Sequence, residues 1–198
     1  MLEALQNNVY YFSALKTHAQ LTEVSSMLLT KEGKVRDFNS FSREVEMLNK
    51  NYNKNYLDSE YNFAISSSQM AAKWKNLDTT GRYNLQYRTA GDDRVRDSHR
   101  KLANITLPMD DPFWQQYYTP NGWKCRCTTI EVLKGKYEVS NNKEALQAGE
   151  AATTQLDNEG NNKLAIFRYN PGIQQVIYPP THPYTKIAGA KEVLKNLK

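Results

Sequence analysis

A stripe of apolar side chains between Phe41 and Phe63 limits the fold more than any other feature of the sequence. Its members lie three, four or seven residues apart, the spacing of one face of an α-helix: Phe41, Val45, Leu48, Tyr52, Tyr56 and Phe63. We predict a helix that begins after an N-cap at Ser40 and ends near Leu77. Because this length exceeds that of an ordinary globular helix, we expect it either to span the domain or to break once, at Ser66 to Ser68.

Periodic patterns on both sides of this helix predict an α+β fold. Apolar residues within residues 2–29 recur at helical spacing, which indicates one or two further helices. Alternating apolar and polar residues predict strands at residues 83–89 and 123–133, and the turn signal Asn170-Pro-Gly172 predicts a hairpin. We therefore expect N-terminal helices, including the long one, to pack on a small and mostly antiparallel sheet.

The remaining segments predict short helices and one ordered loop. Helices are expected at residues 92–103 and 144–155, and from about Lys186 onwards. Residues 106–122 contain three prolines, which interrupt regular structure, together with several aromatic residues that need a place to pack. We predict an ordered loop there, with its aromatic side chains buried in the core beneath it.

Charge and composition restrict the classes of partner. The chain has 26 Lys and Arg against 21 Asp and Glu, a formal charge of +5 at pH 7. This excess permits contact with DNA, but the basic residues are interspersed with acidic ones and form no long block. No run approaches the roughly 18 apolar residues of a membrane-spanning helix, and the first residues lack the pattern of a secretion signal. We therefore expect no membrane partner.

One histidine and the two cysteines of the chain offer a candidate metal site. Cys125 and Cys127 are one residue apart, so a disulfide between them would be strained, and reduced thiols or metal ligands are favoured. One interpretation is that both sulfurs and His99 bind zinc, with Asp97 or His182 as the fourth ligand. The other is that one cysteine packs as a small apolar side chain.

The acidic pair Asp92-Asp93 is interpreted as the start of the short charged helix. Carboxylates at a helix N-terminus accept hydrogen bonds from free N–H groups and face the positive end of the helix dipole. We therefore predict an N-cap there.

Two enzymatic interpretations compete with the structural ones. A thiolate beside an imidazole can attack a carbonyl carbon, but no family-specific sequence surrounds Cys125 and no oxyanion-hole glycine pair is evident. Arg88 resembles the arginine with which ADP-ribosyltransferases hold the pyrophosphate of NAD, although the later motifs of those enzymes are not found in the sequence. A polar cleft formed by Arg88, Asp93, Arg96 and His99 is the enzymatic alternative.

A set of motifs between Arg88 and Cys127 carries more information than any single site. After Arg88 the chain reads Asp93-x-x-Arg96-x-x-His99-x-x-Leu102, then Leu107-Pro-x-Asp110-x-Pro112-Phe-Trp114, then Pro120-Asn-Gly-Trp-x-Cys125-Arg-Cys127. In these positions it resembles the phage Mu F-like minor head proteins, also called phage head morphogenesis proteins. The resemblance is close over residues 80–130 and extends back to about Asn39.

The resemblance implies a virion component, present in few copies, that associates with portal and capsid proteins during head assembly in the host cytoplasm and accompanies DNA ejection. It divides the chain into a helical arm, residues 1–38, and a Mu F-like domain, residues 39–198. Family members are commonly longer at the N-terminus, so we expect this chain to match the later part of such a protein. His99, Cys125 and Cys127 are the matching positions that can hold a metal.

The same resemblance supplies an alternative function. The family is also found fused to toxin domains, so the alternative is a toxin-like effector enzyme that acts on NAD or nucleic acid. Enzymatic activity itself is not implied by the resemblance.

Overall fold

Eight α-helices and one three-stranded antiparallel sheet make up residues 1–197, the part of the chain that our computed structural model describes. In chain order the elements are α1 (Leu2–Ser26), α2 (Phe38–Lys50), α3 (Leu57–Lys75), β1 (Tyr83–Arg88), α4 (Asp97–Arg100), β2 (Thr106–Leu107), α5 (Phe113–Tyr117), β3 (Thr128–Leu133), α6 (Asn142–Ala152), α7 (Pro171–Gln174) and α8 (Ala190–Asn196). A π-helical segment, Asn51–Tyr56, joins α2 to α3, and single 3-10 turns cover Ala165–Phe167 and Pro183–Lys186. The predicted α+β class is confirmed.

The predicted long helix exists as the continuous run α2, π-helical segment and α3, but its start differs from the prediction. Asp37, not Ser40, is the N-cap, because its side chain accepts a hydrogen bond from the backbone N–H of Ser40 at 3.0 Å. Asp37 has an extended backbone with φ −65° and ψ 152°, as N-cap residues usually do. The helix therefore begins at Phe38 and ends at Lys75.

The predicted break at Ser66 to Ser68 is wrong, because two of these serines have partners that leave the helix intact. The Ser67 hydroxyl is fully buried and donates to the Ile177 carbonyl at 2.7 Å, and the Ser68 hydroxyl donates to the Ala64 carbonyl one turn back. The irregularity lies instead at Asn51–Tyr56, a run with three asparagines, which are weak helix formers. Tyr56, a predicted member of the apolar stripe, is 45% exposed there.

The sheet has the strand order β2, β1, β3, with both pairings antiparallel. Leu85 of β1 lies opposite Leu107 of β2, and Gln86 lies opposite Ile130 of β3. The predicted strand at residues 83–89 is present almost as expected. The strand predicted to begin at Trp123 begins only at Thr128.

The predicted hairpin around Asn170 is wrong, and β2 supplies the third strand instead. Asn170 is the N-cap of α7: its side-chain oxygen accepts from the backbone N–H groups of Gly172 at 2.9 Å and Ile173 at 3.1 Å. Pro171 then occupies the first helical position, where its missing N–H has no cost. Asn-Pro-Gly is thus a helix start in this chain.

The shorter predicted helices are present with shifted ends. The helix predicted at residues 92–103 is reduced to α4, the one at 144–155 is α6, and the last begins at Ala190. The predicted loop at residues 106–122 also contains β2 and α5. No helix in the described chain combines the length and apolarity needed to cross a membrane.

Two apolar clusters form the interior. The first lies beneath the sheet and contains the aromatic side chains of the predicted loop, which are buried as expected: Phe113, Trp114, Tyr117 and Tyr118. The second joins α1 and α3 to the segment from Phe167 to Ala190. The cysteines belong to the first cluster, so the candidate site lies beside the sheet.

Helix α1 is packed into the second cluster along its inner face. The Phe12 ring stacks on the Tyr178 ring with centroids 3.7 Å apart, and Lys16 forms a largely buried ion pair of 2.5 Å with Glu60 of α3. Helix α1 also contacts α8 and the 3-10 turn at Pro183–Lys186. The boundary at residue 38 between an arm and a domain stays a prediction.

Candidate metal centre

Cys125 and Cys127 follow a left-handed turn, and both face the same histidine. The Cys125 N–H donates to the Gly122 carbonyl at 3.2 Å, and Lys124 between them has φ +56°. An extended segment would place Cys125 and Cys127 on opposite faces. The turn at Lys124 interrupts any extended run, so the predicted strand cannot begin at Trp123. Residues 125–127 are outside the strand, and both sulfurs face His99 of α4.

His99, Cys125 and Cys127 come together as a buried cluster. The His99 Nδ1 atom lies 3.7 Å from Cys125 Sγ and 3.6 Å from Cys127 Sγ. The candidate ligand atoms of the three residues all lie within 4.8 Å of one another. The side chains are 2%, 5% and 8% exposed, respectively. The sequence-based grouping of these residues is therefore reproduced in space, while the presence of a metal stays a prediction.

The two thiols are electrostatically unequal. The pKa of Cys125 is lowered well below its usual value, first by a hydrogen bond from Cys127 and then by His99. The pKa of Cys127 is raised, because its proton is held by Cys125 and because burial disfavours a second thiolate. One thiolate in this pair is therefore stabilised by the other thiol and by His99, and a second thiolate is disfavoured.

Tyr87 of β1 and Asn121, which lies just before the turn at Lys124, form the inner wall of the cluster. The Tyr87 hydroxyl donates to the Asn121 side-chain oxygen at 3.0 Å, and both side chains are fully buried. Sequence reasoning missed both residues. Asn121 lies in the motif Pro120-Asn-Gly-Trp and Tyr87 lies on a predicted strand, but neither signal specifies a contact between the two.

Asp92 does not cap a helix but pairs with the arginine between the two cysteines. The Arg126 guanidinium donates to both Asp92 carboxylate oxygens, at 2.7 and 2.6 Å, and this pairing is the largest cause of the lowered Asp92 pKa. Arg96 occupies the N-cap position of α4 instead. The Asp92–Arg126 pair ties the loop before α4 to the cysteine segment, a link that sequence reasoning also missed.

A cleft of about 490 Å³ opens beside the cluster, and we call it the cysteine cleft. Its walls are α3, the loop before α4 and the cysteine segment. The lining residues are Asp58, Asn62, Ile65, Ser66, Ala90, Arg94, Val95, Arg96, His99, Lys124, Cys125, Arg126 and Cys127. Lys124 pairs across the cleft with Asp58 at 2.5 Å, so α3 is connected to the cysteine segment at its mouth.

Only part of the residue set of the enzymatic alternative reaches this cleft. Arg96 and His99 line it, and the Arg96 guanidinium donates to the Trp123 carbonyl at 2.5 Å. Arg88 is not among the lining residues and donates to the Tyr137 hydroxyl at 3.3 Å. Asp93 is exposed and also outside the lining.

Neither predicted fourth ligand is near the cluster. Asp97 is fully exposed and pairs with Arg100 at 3.3 Å. His182 lies in the second apolar cluster, where its ring packs against those of Phe12, Trp123 and Tyr184. Among residues 1–197, no Asp, Glu, His or further Cys joins the three ligands.

His182 predicts a pH dependence of stability. Burial lowers its pKa from the usual 6.5 to about 4, with the Lys16 charge as a second cause. Between these values the unfolded chain binds the proton more tightly than the folded chain, so the free energy of unfolding falls as pH decreases from about 6.5 to 4. The expected loss is on the order of 2 kcal/mol, measured by urea unfolding at a series of pH values.

The matched variant for this measurement is His182→Asn. The His182 Nδ1 atom accepts from the backbone N–H of Tyr184 at 3.3 Å, and an asparagine oxygen can replace that acceptor without titrating. The variant should show a flatter pH dependence than the wild type between pH 4 and 6.5. Two curves of the same slope would contradict the assignment to His182.

Comparison with known proteins places the chain in a family. The family model described as "Phage Mu protein F like protein" matches residues 30–130, which include His99, Cys125 and Cys127. "Putative capsid assembly protein F" of Escherichia phage Mu is 50% identical over 42 residues, covering 21% of this chain and 10% of that protein. "Mu-like prophage FluMu F protein" of Haemophilus influenzae is 32% identical over 101 residues, covering 51% of this chain and 23% of that protein.

The matches cover only part of each relative. Each aligned region spans less than a quarter of the curated relative. No solved structure matches the chain. Because the family model covers just over half of the sequence, the chain belongs to the Phage Mu protein F like family.

Proposed function

We propose that this chain acts in the assembly of a phage head and becomes part of the virion. The observation that carries the proposal is the family match over residues 30–130, together with 50% identity over 42 residues to a protein named for capsid assembly. Since that relative is much longer than the matched region, the role of this chain is argued from the shared segment alone.

The architecture of the matched segment supports a structural role. Residues 30–130 contain the whole of the long helical run, strands β1 and β2, and the aromatic cluster beneath the sheet. Trp114, Phe113 and Tyr118 are fully buried, so the segment presents a firmly packed framework. A framework of this kind can hold a binding surface in one shape while a large assembly forms around it.

We further propose that the partners are portal or capsid proteins and that the chain is present in few copies. Localisation to the virion, with a stage in the host cytoplasm during assembly, follows from the same role. Contact with packaged DNA stays a prediction from the +5 formal charge. Association with DNA ejection likewise rests on the family resemblance.

The direct test is co-expression of the chain with portal and major capsid proteins encoded by the same phage or prophage. We expect it to co-purify with portal-containing heads at far lower copy number than the major capsid protein, measured by quantitative mass spectrometry. Trp114→Ala, which disturbs the buried framework, should reduce its recovery with heads. Heads that never contain the wild-type chain, although it is folded and abundant, would exclude the proposal.

The toxin-like alternative is not our proposal, because its residues do not converge. Of Arg88, Asp93, Arg96 and His99, only Arg96 and His99 line the cysteine cleft. The same purified protein can be incubated with labelled NAD or with RNA. Turnover of either substrate that is lost in Arg96→Ala would favour the enzymatic function.

A further inference from the structure

We infer that His99, Cys125 and Cys127 bind one zinc ion through Nδ1 and the two Sγ atoms, with a fourth coordination position that opens on the cysteine cleft. The inference rests on the geometry of the cluster and is independent of the proposed role in head assembly.

The distances in the cluster are those of ligands around a tetrahedral ion. Zinc bonds of about 2.3 Å to sulfur and about 2.1 Å to nitrogen, set at a tetrahedral angle, place the two ligand atoms about 3.6 Å apart. The observed separations from His99 Nδ1 are 3.7 Å to Cys125 Sγ and 3.6 Å to Cys127 Sγ. Both agree with the expected value to within about 0.2 Å.

A hydrogen bond to His99 accounts for the position of only one of the two sulfurs. A ring nitrogen carries either one hydrogen or one lone pair, so Nδ1 can form one well-directed hydrogen bond. Two sulfur atoms nevertheless lie almost equally far from that one nitrogen. Three potential ligand atoms that all lie within 4.8 Å of one another can share one cation.

The donor set and its surroundings favour zinc over a hard cation. Two thiolates and an imidazole are soft to borderline ligands, which suit zinc and not magnesium or calcium. Two thiolates also balance the double charge of the ion, so the buried cluster becomes neutral when it is occupied. The Tyr87–Asn121 hydrogen bond fixes the inner wall against which the ligands are held.

The cleft explains why three protein ligands suffice. All three ligands line a space of about 490 Å³, and none of the other His, Asp, Glu or Cys residues in 1–197 completes the set. A zinc ion with three protein ligands keeps its fourth position for water or another small ligand. We assign that position to a water molecule from the cleft.

An ion at this point would connect parts of the chain that are far apart in sequence. Cys125 and Cys127 are 26 and 28 residues from His99. The segment between His99 and Cys125 contains β2 and α5. A metal cross-link would therefore hold the loop at residues 106–122 against β1 and β3. Zinc bound at this point would therefore also stabilise the fold of the matched segment.

The test begins with the wild-type chain purified under reducing conditions from zinc-supplemented medium. We expect about one zinc ion per chain by plasma mass spectrometry. Cobalt exchanged into the protein should show a thiolate charge-transfer band and the strong visible bands of a tetrahedral site. A chelator that removes the ion should lower the midpoint of thermal unfolding, and added zinc should restore it.

Variants connect the metal to the three residues. Cys125→Ser, Cys127→Ser and His99→Gln should each weaken zinc binding at least about tenfold, since even outer-shell changes at zinc sites have effects of that size. Asp97→Asn is the matched control: this carboxylate is on the same helix as His99 but faces solvent, so the variant should keep its zinc.

Two results would overturn the inference. One is a reduced, folded wild-type chain that binds no zinc in a titration against a chelating indicator. The other is a cobalt spectrum without thiolate charge transfer. Both measurements use the wild-type protein, so they decide the question even if a cysteine variant fails to fold.

Discussion

Replacement of Trp114 by alanine is expected to lower the free energy of unfolding by about 3–5 kcal/mol, the usual cost of emptying a buried aromatic site. The side chain is 0% exposed, and its ring packs edge-to-face on Phe113 with centroids 4.8 Å apart. The indole N–H donates to the Pro108 carbonyl at 2.9 Å. The variant therefore loses ring contacts and also leaves a carbonyl group without its donor.

Urea unfolding followed by circular dichroism measures this loss. The control is Phe38→Ala, which removes an aromatic ring that is 77% exposed and should change the free energy of unfolding by less than about 0.5 kcal/mol. A loss of less than about 1 kcal/mol in Trp114→Ala would show that the loop at residues 106–122 is not a packed part of the core.

The second large effect is expected for Glu60→Ala, which should lower the free energy of unfolding by about 3–5 kcal/mol. The Glu60 carboxylate accepts from Lys16 at 2.5 Å and from the Tyr184 hydroxyl at 3.2 Å, and the two charged side chains are only 14% and 6% exposed. Without Glu60 the Lys16 ammonium stays buried with no counter-charge. Chemical denaturation of the variant measures the cost directly.

The chain provides a matched control for this prediction. Lys124 and Asp58 form an ion pair of the same 2.5 Å length, but both side chains are 57% exposed. Asp58→Ala should leave the free energy of unfolding nearly unchanged, because water solvates the remaining charge. A second comparison is the double variant Lys16→Met with Glu60→Leu, which should recover most of the stability that Glu60→Ala loses. Equal effects of Glu60→Ala and Asp58→Ala would contradict the role of burial.

Local patterns in the sequence predicted the elements whose causes are local. The apolar stripe from Phe41 to Phe63 required a helix, and the alternation at Tyr83 to Arg88 required a strand. Asn170-Pro-Gly172 is ambiguous on local grounds, since the same residues suit a turn or a capped helix. A contact with a residue distant in the sequence favours the capped helix. The Asn170 amide donates to the Trp114 carbonyl, and no local pattern contains that contact.

In the candidate site, too, local sequence predicted some features and distant contacts determine the others. The residue types of His99, Cys125 and Cys127 indicated which side chains belong together. Their common orientation depends on the irregular backbone of residues 122–127, which includes a positive φ at Lys124 that is unusual for lysine and was therefore not predicted. The Asp92–Arg126 pair joins residues 34 apart in the sequence, so no local pattern could predict it.

The contacts of the Glu60 carboxylate with Lys16 and Tyr184 affect how the protein folds during synthesis. Its carboxylate binds Lys16, which lies 44 residues earlier, and Tyr184, which lies 124 residues later. Contacts of such long sequence separation form late, because the intervening chain must first be ordered. Helices α1 and α3 therefore leave the ribosome well before the residues that complete their shared core. Until Tyr184 emerges, their inner faces remain open to chaperones or to premature association with neighbouring chains.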